Sequence, residues 1–149
     1  NSPGQVVIAG NAAAVERAMN AAKEAGAKRA LPLPVSVPSH CSLMKPAAEK
    51  LAEALKTVEI RQPQISVIHN ADVAAYDDAE KIKDALVRQL YSPVRWTETV
   101  NALVAEGITE SAECGPGKVL AGLAKRINKE AACSALTNSE QVAAFVEAH

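Results

Sequence analysis

In the stretch LPLPVSVPSHCSLMKPAAEKL, residues 31–51, a single histidine follows a Pro-punctuated apolar segment and precedes an amphipathic pattern. An imidazole is the side chain best suited to take up and return a proton near neutral pH. His40 sits on the connection leaving an extended segment, and such loops are where α/β proteins assemble their sites. Its preceding neighbours, Pro38 and Ser39, are small or restricted, so the ring is able to face a cleft. Two readings stay open from these residues alone: a catalytic base at the edge of a sheet, or a polar residue closing a turn. Cys41 is a poor partner for it, because adjacent side chains on an extended segment point to opposite sides. The stretch offers a base and no obvious nucleophile.

Other candidates are weaker. Gly115-Pro116-Gly117-Lys118 has the look of a phosphate loop, but it lacks the spacing and the Ser/Thr after Lys of a Walker motif. It reads as a strand-to-helix turn in which glycines supply unusual dihedrals, with a helix N-terminus facing a ligand as the second reading. His69 and Asp72 flank a loop at a strand end and read as a satisfied turn rather than a second acid–base pair. His149, at the chain end, is expected to be disordered. The charge-rich runs 49–56 and 77–83 read as solvated helix faces. Cys41, Cys114 and Cys133 are odd in number and widely spaced, matching no zinc or disulfide pattern. They are expected to be reduced thiols of a cytoplasmic protein, with no metal site.

The elements that must position these groups follow from periodicity. Residues 5–10, QVVIAG, form a β-branched run expected to be a strand. Asn11 is placed to cap a helix running to about residue 25, which Gly26 ends. Residues 30–37 are a second extended stretch, and Pro32, Pro34 and Pro38 make it an edge strand. Leu43, Met44, Ala47, Leu51, Ala52 and Leu55 then recur at helical spacing, with Pro46 admissible only in the first turn. Residues 65–69, ISVIH, read as a buried strand and 70–77 as an irregular loop. A helix through Ile82, Ala85, Leu86 and Leu90 must stop at Tyr91-Ser92, because Pro93 cannot continue it. A helix over 96–105 closes at Gly107, a strand spans 110–114, a helix 119–127 and a short strand 133–136. Asn138 or Ser139 caps a terminal helix. Strands alternating with helices argue α/β with a largely parallel sheet.

Composition sets the outer limits. At 149 residues the chain is long enough for one domain with a real core, and 48% of it is hydrophobic. One Phe, one Trp and two Tyr leave Ala, Val and Leu to fill the interior. The 16 basic and 17 acidic residues are interspersed, so no basic face is offered to nucleic acid. No apolar run reaches membrane-spanning length, and the opening residues do not read as a signal peptide. Asn1-Ser2-Pro3-Gly4 runs straight into structured pattern, as expected of a piece of a longer chain.

Several separated segments carry a resemblance. NSPGQVVIAG, GAKRALPLPVSVPSHC, LMKPAAEKL, DALVRQLYSPVRW and ECGPGKVLAGLAKRI occur in this order. Together they resemble the malonyl-CoA:acyl carrier protein transacylases of bacterial type II fatty-acid synthesis, over residues 1 to about 136. The resemblance implies an α/β-hydrolase-like core with an inserted ferredoxin-like subdomain. Residues 1–37 would then be the second, β-α-β half of the subdomain and 38–149 the C-terminal part of the core. It also implies ping-pong acyl transfer through a serine acyl-enzyme, with His40 as general base and acid and the Gln89 backbone carbonyl orienting its ring. That role suits Gln89 independently, since carbonyls in the last turn of a helix lack intrahelical partners and favour a nearby positive charge. Asn1 and Ser39 are the positions the resemblance places beside substrate, and His69 would border the cleft without doing chemistry. Malonyl-CoA enters as substrate, acyl carrier protein as partner, and no cofactor, nucleic acid or membrane is implied.

The departures decide what this chain can do alone. The family's G-H-S-x-G nucleophile elbow does not occur, and no serine here stands in that context. The arginine for the malonyl carboxylate and the oxyanion-hole glutamine also belong upstream. The chain is therefore expected to be roughly the C-terminal half, inactive alone, with the N-terminal half of the same enzyme as its partner. The other reading is a truncated, non-catalytic homologue serving as a carrier-protein-binding or subunit-interaction module. In that case Lys28, Arg29, Lys118, Lys125 and Arg126 would meet an acidic carrier.

Overall fold

The computed structural model describes all 149 residues and divides into two units, Val7–Val94 and Asn1–Val6 with Arg95–His149. The elements of the first are α1 (Ala12–Glu24), a 3-10 turn (Ser42–Met44), α2 (Lys45–Leu55), β1 (Ile68–His69), β2 (Ala74–Ala75) and α3 (Ala79–Arg88). The second holds α4 (Trp96–Ala105), β3 (Glu110–Cys114), α5 (Val119–Ile127), β4 (Ala132–Leu136) and α6 (Ser139–Ala148).

In the first unit α2 packs on α3. Ala48 and Leu55 of α2 and Ile82 and Ala85 of α3 are its buried apolar residues. Small residues at Ala48 and Ala85, 2% and 1% exposed, let the two helices approach closely. Pro46 lies in the first turn of α2, where its missing N–H costs nothing. Asp78 starts α3 by accepting the Lys81 N–H at 2.9 Å. β1 and β2 form a two-residue antiparallel hairpin, with Ile68 opposite Ala75 and His69 opposite Ala74.

The second unit is a β-α-β arrangement. β3 and β4 pair in parallel, Glu110 opposite Ala132 through Cys114 opposite Leu136, and α5 connects them. α5 packs on β4 and α4 packs on α5, burying Val100, Leu123 and Ala124. α4 ends in a Schellman motif. Gly107, at φ 85°, donates to Val104 and Ile108 donates to Leu103, so the closing residue must tolerate a left-handed backbone. Asn138 caps α6 by accepting the Gln141 N–H at 2.9 Å.

The whole is mixed α/β with one small parallel and one small antiparallel sheet, and several strand expectations need correction. Residues 5–10 are unpaired beyond an isolated bridge between Ser2 and Gln5, and residues 30–37 form no ladder. Of 65–69 only Ile68 and His69 pair, while Ile65 is 80% exposed. The irregular loop expected at 70–77 contains β2. β-Branched composition favours extended backbone, but a strand exists only where another segment lies alongside to take its N–H and C=O groups. Within this chain nothing does so for 5–10 or 30–37. Their apolar side chains, Val6, Val7, Ile8, Leu31, Leu33, Val35 and Val37, are all exposed. Asn11 stands at the start of α1, but its side chain makes no capping bond. No helix is long and apolar enough to cross a membrane.

Candidate functional site

His40 is held at the end of α3 by two hydrogen bonds. Its Nδ1 lies 2.9 Å from the Gln89 carbonyl oxygen, and its backbone N–H donates to the Leu90 carbonyl at 2.9 Å. The sequence explains why both carbonyls are available. In a continuing helix the Gln89 carbonyl would accept from the N–H four residues on, which is Pro93 and has none. The chain tightens instead, with Leu90 donating to Val87 and Tyr91 to Arg88. The helix end leaves its last carbonyls open.

This geometry fixes the tautomer. A carbonyl oxygen only accepts, so Nδ1 carries the proton and, in the neutral ring, Nε2 holds the lone pair. Nε2 has no hydrogen-bond partner within the chain and the residue is exposed. The ring is thus oriented on one side and able to accept a proton on the other. His40 also has a left-handed backbone, φ 63°, a conformation that costs a non-glycine residue roughly 1–2 kcal/mol. The Leu90 bond holds the residue in it.

Cys41 is turned to other work: its thiol donates to the Pro38 carbonyl at 3.2 Å. Ser39 is exposed beside His40, with its N–H on the Val37 carbonyl at 2.8 Å. Asn1 belongs to the other unit. The structure therefore brings Gln89 to His40 and keeps Ser39 adjacent in the chain.

The His69–Asp72 loop is a hydrogen-bonded turn, satisfied in its backbone and at Asp72 but not at Asn70, whose buried Oδ1 has no hydrogen-bond partner. His69 is 6% exposed and its ring lies 5.5 Å from that of Tyr76. Its carbonyl accepts from Asp72 and Val73. The Asp72 carboxylate takes both terminal nitrogens of Arg88, at 2.5 and 2.8 Å, and the Tyr76 hydroxyl at 3.1 Å. Arg88 also reaches Asp84 through Nε at 2.6 Å. This network was not legible as such, although an Arg in the last turn of α3 and an Asp in a tight turn are its sequence components.

The bonds from Arg88, opposed by partial burial, hold the Asp72 carboxyl below the usual aspartate range. Its contribution to stability is complete above the unfolded-state value near 4 and is lost as pH falls through the lower folded-state value. Thermal unfolding of the chain and of its Asp72→Asn variant should therefore show a Tm gap at pH 7 that narrows below about pH 4. A gap independent of pH would rule out the ion pair as its source.

Gly115-Pro116-Gly117-Lys118 forms the expected strand-to-helix turn, between β3 and α5. The N-terminus of α5 is occupied by the chain itself: the Glu113 carboxylate accepts from Val119 at 3.1 Å and Ala121 at 2.9 Å. Those backbone bonds lower its pKa, and they leave no open N-terminus for a ligand phosphate after Gly117-Lys118. His149 makes contacts of its own at the chain end. It lies on the Phe145 ring, with Nδ1 against the Phe145 carbonyl at 2.8 Å and Nε2 against Glu110 at 2.7 Å, and both raise its pKa. Of the scattered basic residues, Arg126 is engaged by the Gly122 carbonyl and Gln5. A cavity of about 100 Å³ between α4, α5 and the β3–β4 sheet is lined chiefly by Trp96, Val100, Leu103, Val104, Leu120 and Ala124. Such a lining suits side-chain packing and presents no convergent set of polar groups. No cluster of His, Cys, Asp and Glu is arranged to hold a metal.

Comparison with known proteins places this site in context. The acyl transferase domain matches residues 1–143. The malonyl CoA-acyl carrier protein transacylase of Haemophilus influenzae is 66% identical over 127 residues, covering 85% of this chain and 41% of the relative. An acyl carrier protein S-malonyltransferase from Vibrio cholerae is structurally similar, with a TM-score of 0.85 and 60% identity, over 89% of this chain and 43% of that one. A malonyl-transacylase solved in complex with its type II PKS acyl-carrier protein gives a TM-score of 0.90 at 52% identity, over 93% and 45%. The chain spans less than half the length of each of these relatives.

Proposed function

Because this chain belongs to the acyl transferase domain family, we propose that it supplies the acid–base half of a malonyl transfer from coenzyme A to the phosphopantetheine thiol of acyl carrier protein. The observation that carries the reading is the 2.9 Å contact of His40 Nδ1 with the Gln89 carbonyl, which leaves Nε2 as a proton acceptor. The nucleophile is a serine in the remainder of the enzyme, outside this chain. His40 Nε2 takes the serine proton as the hydroxyl oxygen attacks the malonyl thioester carbonyl. The tetrahedral intermediate collapses by breaking the carbon–sulfur bond, and the imidazolium returns the proton to the departing coenzyme A thiolate. In the second half-reaction His40 takes the proton of the phosphopantetheine thiol, which attacks the malonyl-serine ester. The proton then goes back to the serine oxygen.

The carbonyl at Gln89 holds the ring in one tautomer throughout, and the carbonyl end of α3 faces the positive charge that appears transiently. Asn1 and Ser39 border the substrate in this reading, residues 1–37 complete a ferredoxin-like subdomain and 38–149 an α/β-hydrolase-like core. The exposed apolar runs at 5–10 and 30–37 support a further half of the enzyme lying against this one. No cofactor is required, and the setting is the cytoplasm.

Intact mass before and after malonyl-CoA tests the division of labour. The 149-residue chain alone should gain no adduct, and the enzyme carrying both halves should gain one malonyl group. A malonyl adduct on the isolated chain would overturn the assignment of the nucleophile to the other half.

A further inference from the structure

We propose that the Asp72–Arg88 ion pair, with Tyr76, is a positioning device for His40, an inference that rests on His40 being the base of the proposed transfer. Both bonds that hold His40 end on carbonyls of Gln89 and Leu90, the two residues that follow Arg88 at the end of α3. The direction of those carbonyls depends on how the last turn of α3 is rotated about its axis, and Pro93 prevents further helix from fixing it. Arg88 fixes it from outside the helix. Its guanidinium is gripped at two points by Asp72, in the turn between β1 and β2. A two-point grip on a planar fork restrains rotation as well as distance, which a single contact cannot do.

Asp72 is restrained in turn. The Tyr76 hydroxyl donates to its Oδ2, its backbone N–H donates to the His69 carbonyl at 3.3 Å, and the hairpin register holds His69 against Ala74. Buried His69, beside the Tyr76 ring, seats the hairpin. The contacts form one chain: hairpin, Asp72, Arg88, helix end, Gln89 and Leu90 carbonyls, His40. The second carboxylate on Arg88, Asp84, lies on α3 itself and ties the side chain only to its own helix. Asp72 and Asp84 therefore carry equal charge toward the same arginine, but only Asp72 transmits position.

The test reads the imidazole directly and activity second. Long-range proton–nitrogen spectra of His40 in the complete enzyme should show the Nδ1–H tautomer. In Asp72→Asn the ring should move toward a mixture of tautomers, kcat for malonyl transfer should fall about fivefold with KM little changed, and Asp84→Asn should leave both readouts at wild-type values. Tyr76→Phe, which removes one bond to Asp72 and keeps the ion pair, should shift the ring in the same direction by less. It serves if Asp72→Asn does not fold. An unchanged tautomer in folded Asp72→Asn, or in Tyr76→Phe where the former fails to fold, overturns the proposal. Equal effects from Asp84→Asn also overturn it. A tautomer shift with full activity would keep the positioning and instead remove His40 as the base.

Discussion

His40→Ala in the complete enzyme is expected to lower malonyl transfer by at least ~10²-fold, the range over which a positioned acid–base group accelerates proton transfer. The proton inventory requires it. In the proposed mechanism each half-reaction removes one proton from a hydroxyl or thiol and returns one to a leaving group, and Nε2 of His40 is the acceptor that the ring geometry leaves open. Alanine removes that acceptor, so the loss should appear chiefly in kcat. Both half-reactions should slow, because the proposed mechanism uses one imidazole for both. Measuring the malonyl-serine burst and the transfer to carrier protein separately checks this. Near-normal rates in either step would remove His40 from that step.

Local chemistry was legible in the sequence where it depended on a few consecutive residues. α3 stops ahead of Pro93, but at Arg88 and not at the expected Tyr91-Ser92, because the last turn tightens at Leu90 and Tyr91. Gly107 closed α4, and the helical spacing from Trp96 to Ala105 gave that helix its observed limits. The strands read at 110–114 and 133–136, observed at 110–114 and 132–136, were readable because each has its partner within the chain, joined by a single helix. Residues 5–10 and 30–37 have the same β-branched character and no such partner, and composition alone does not distinguish the two situations.

At the site, residue types pointed to His40, and the resemblance pointed to Gln89. The network behind them was not readable. An aspartate sixteen residues from an arginine looks like any surface pair until the hairpin turn brings Asp72 to 2.5 Å from Arg88. Glu113 was hidden for the same reason. Its capping bonds to Val119 and Ala121 depend on how the Gly115-Pro116-Gly117 turn folds back, so a helix N-terminus that reads as open is already filled.

Pro93→Ala is expected to reduce transfer by about 10- to 100-fold, the loss that follows from removing a hydrogen bond of about 1.5–3 kcal/mol to a group that becomes charged. Position 93 lies four residues beyond Gln89, and alanine there introduces the N–H that proline lacks. That N–H is placed to extend α3 by claiming the Gln89 carbonyl, the acceptor His40 Nδ1 uses. Once the carbonyl is shared, the ring loses its preference for the Nδ1–H tautomer, and Nε2 is no longer reliably the acceptor. Gln89→Ala provides the contrast. It deletes the side chain but keeps the carbonyl, so its transfer rate should fall far less and its imidazole should stay in the Nδ1–H tautomer. If Gln89→Ala proved as damaging as Pro93→Ala, the side chain would be what matters, and a backbone carbonyl freed by proline could not be what orients His40.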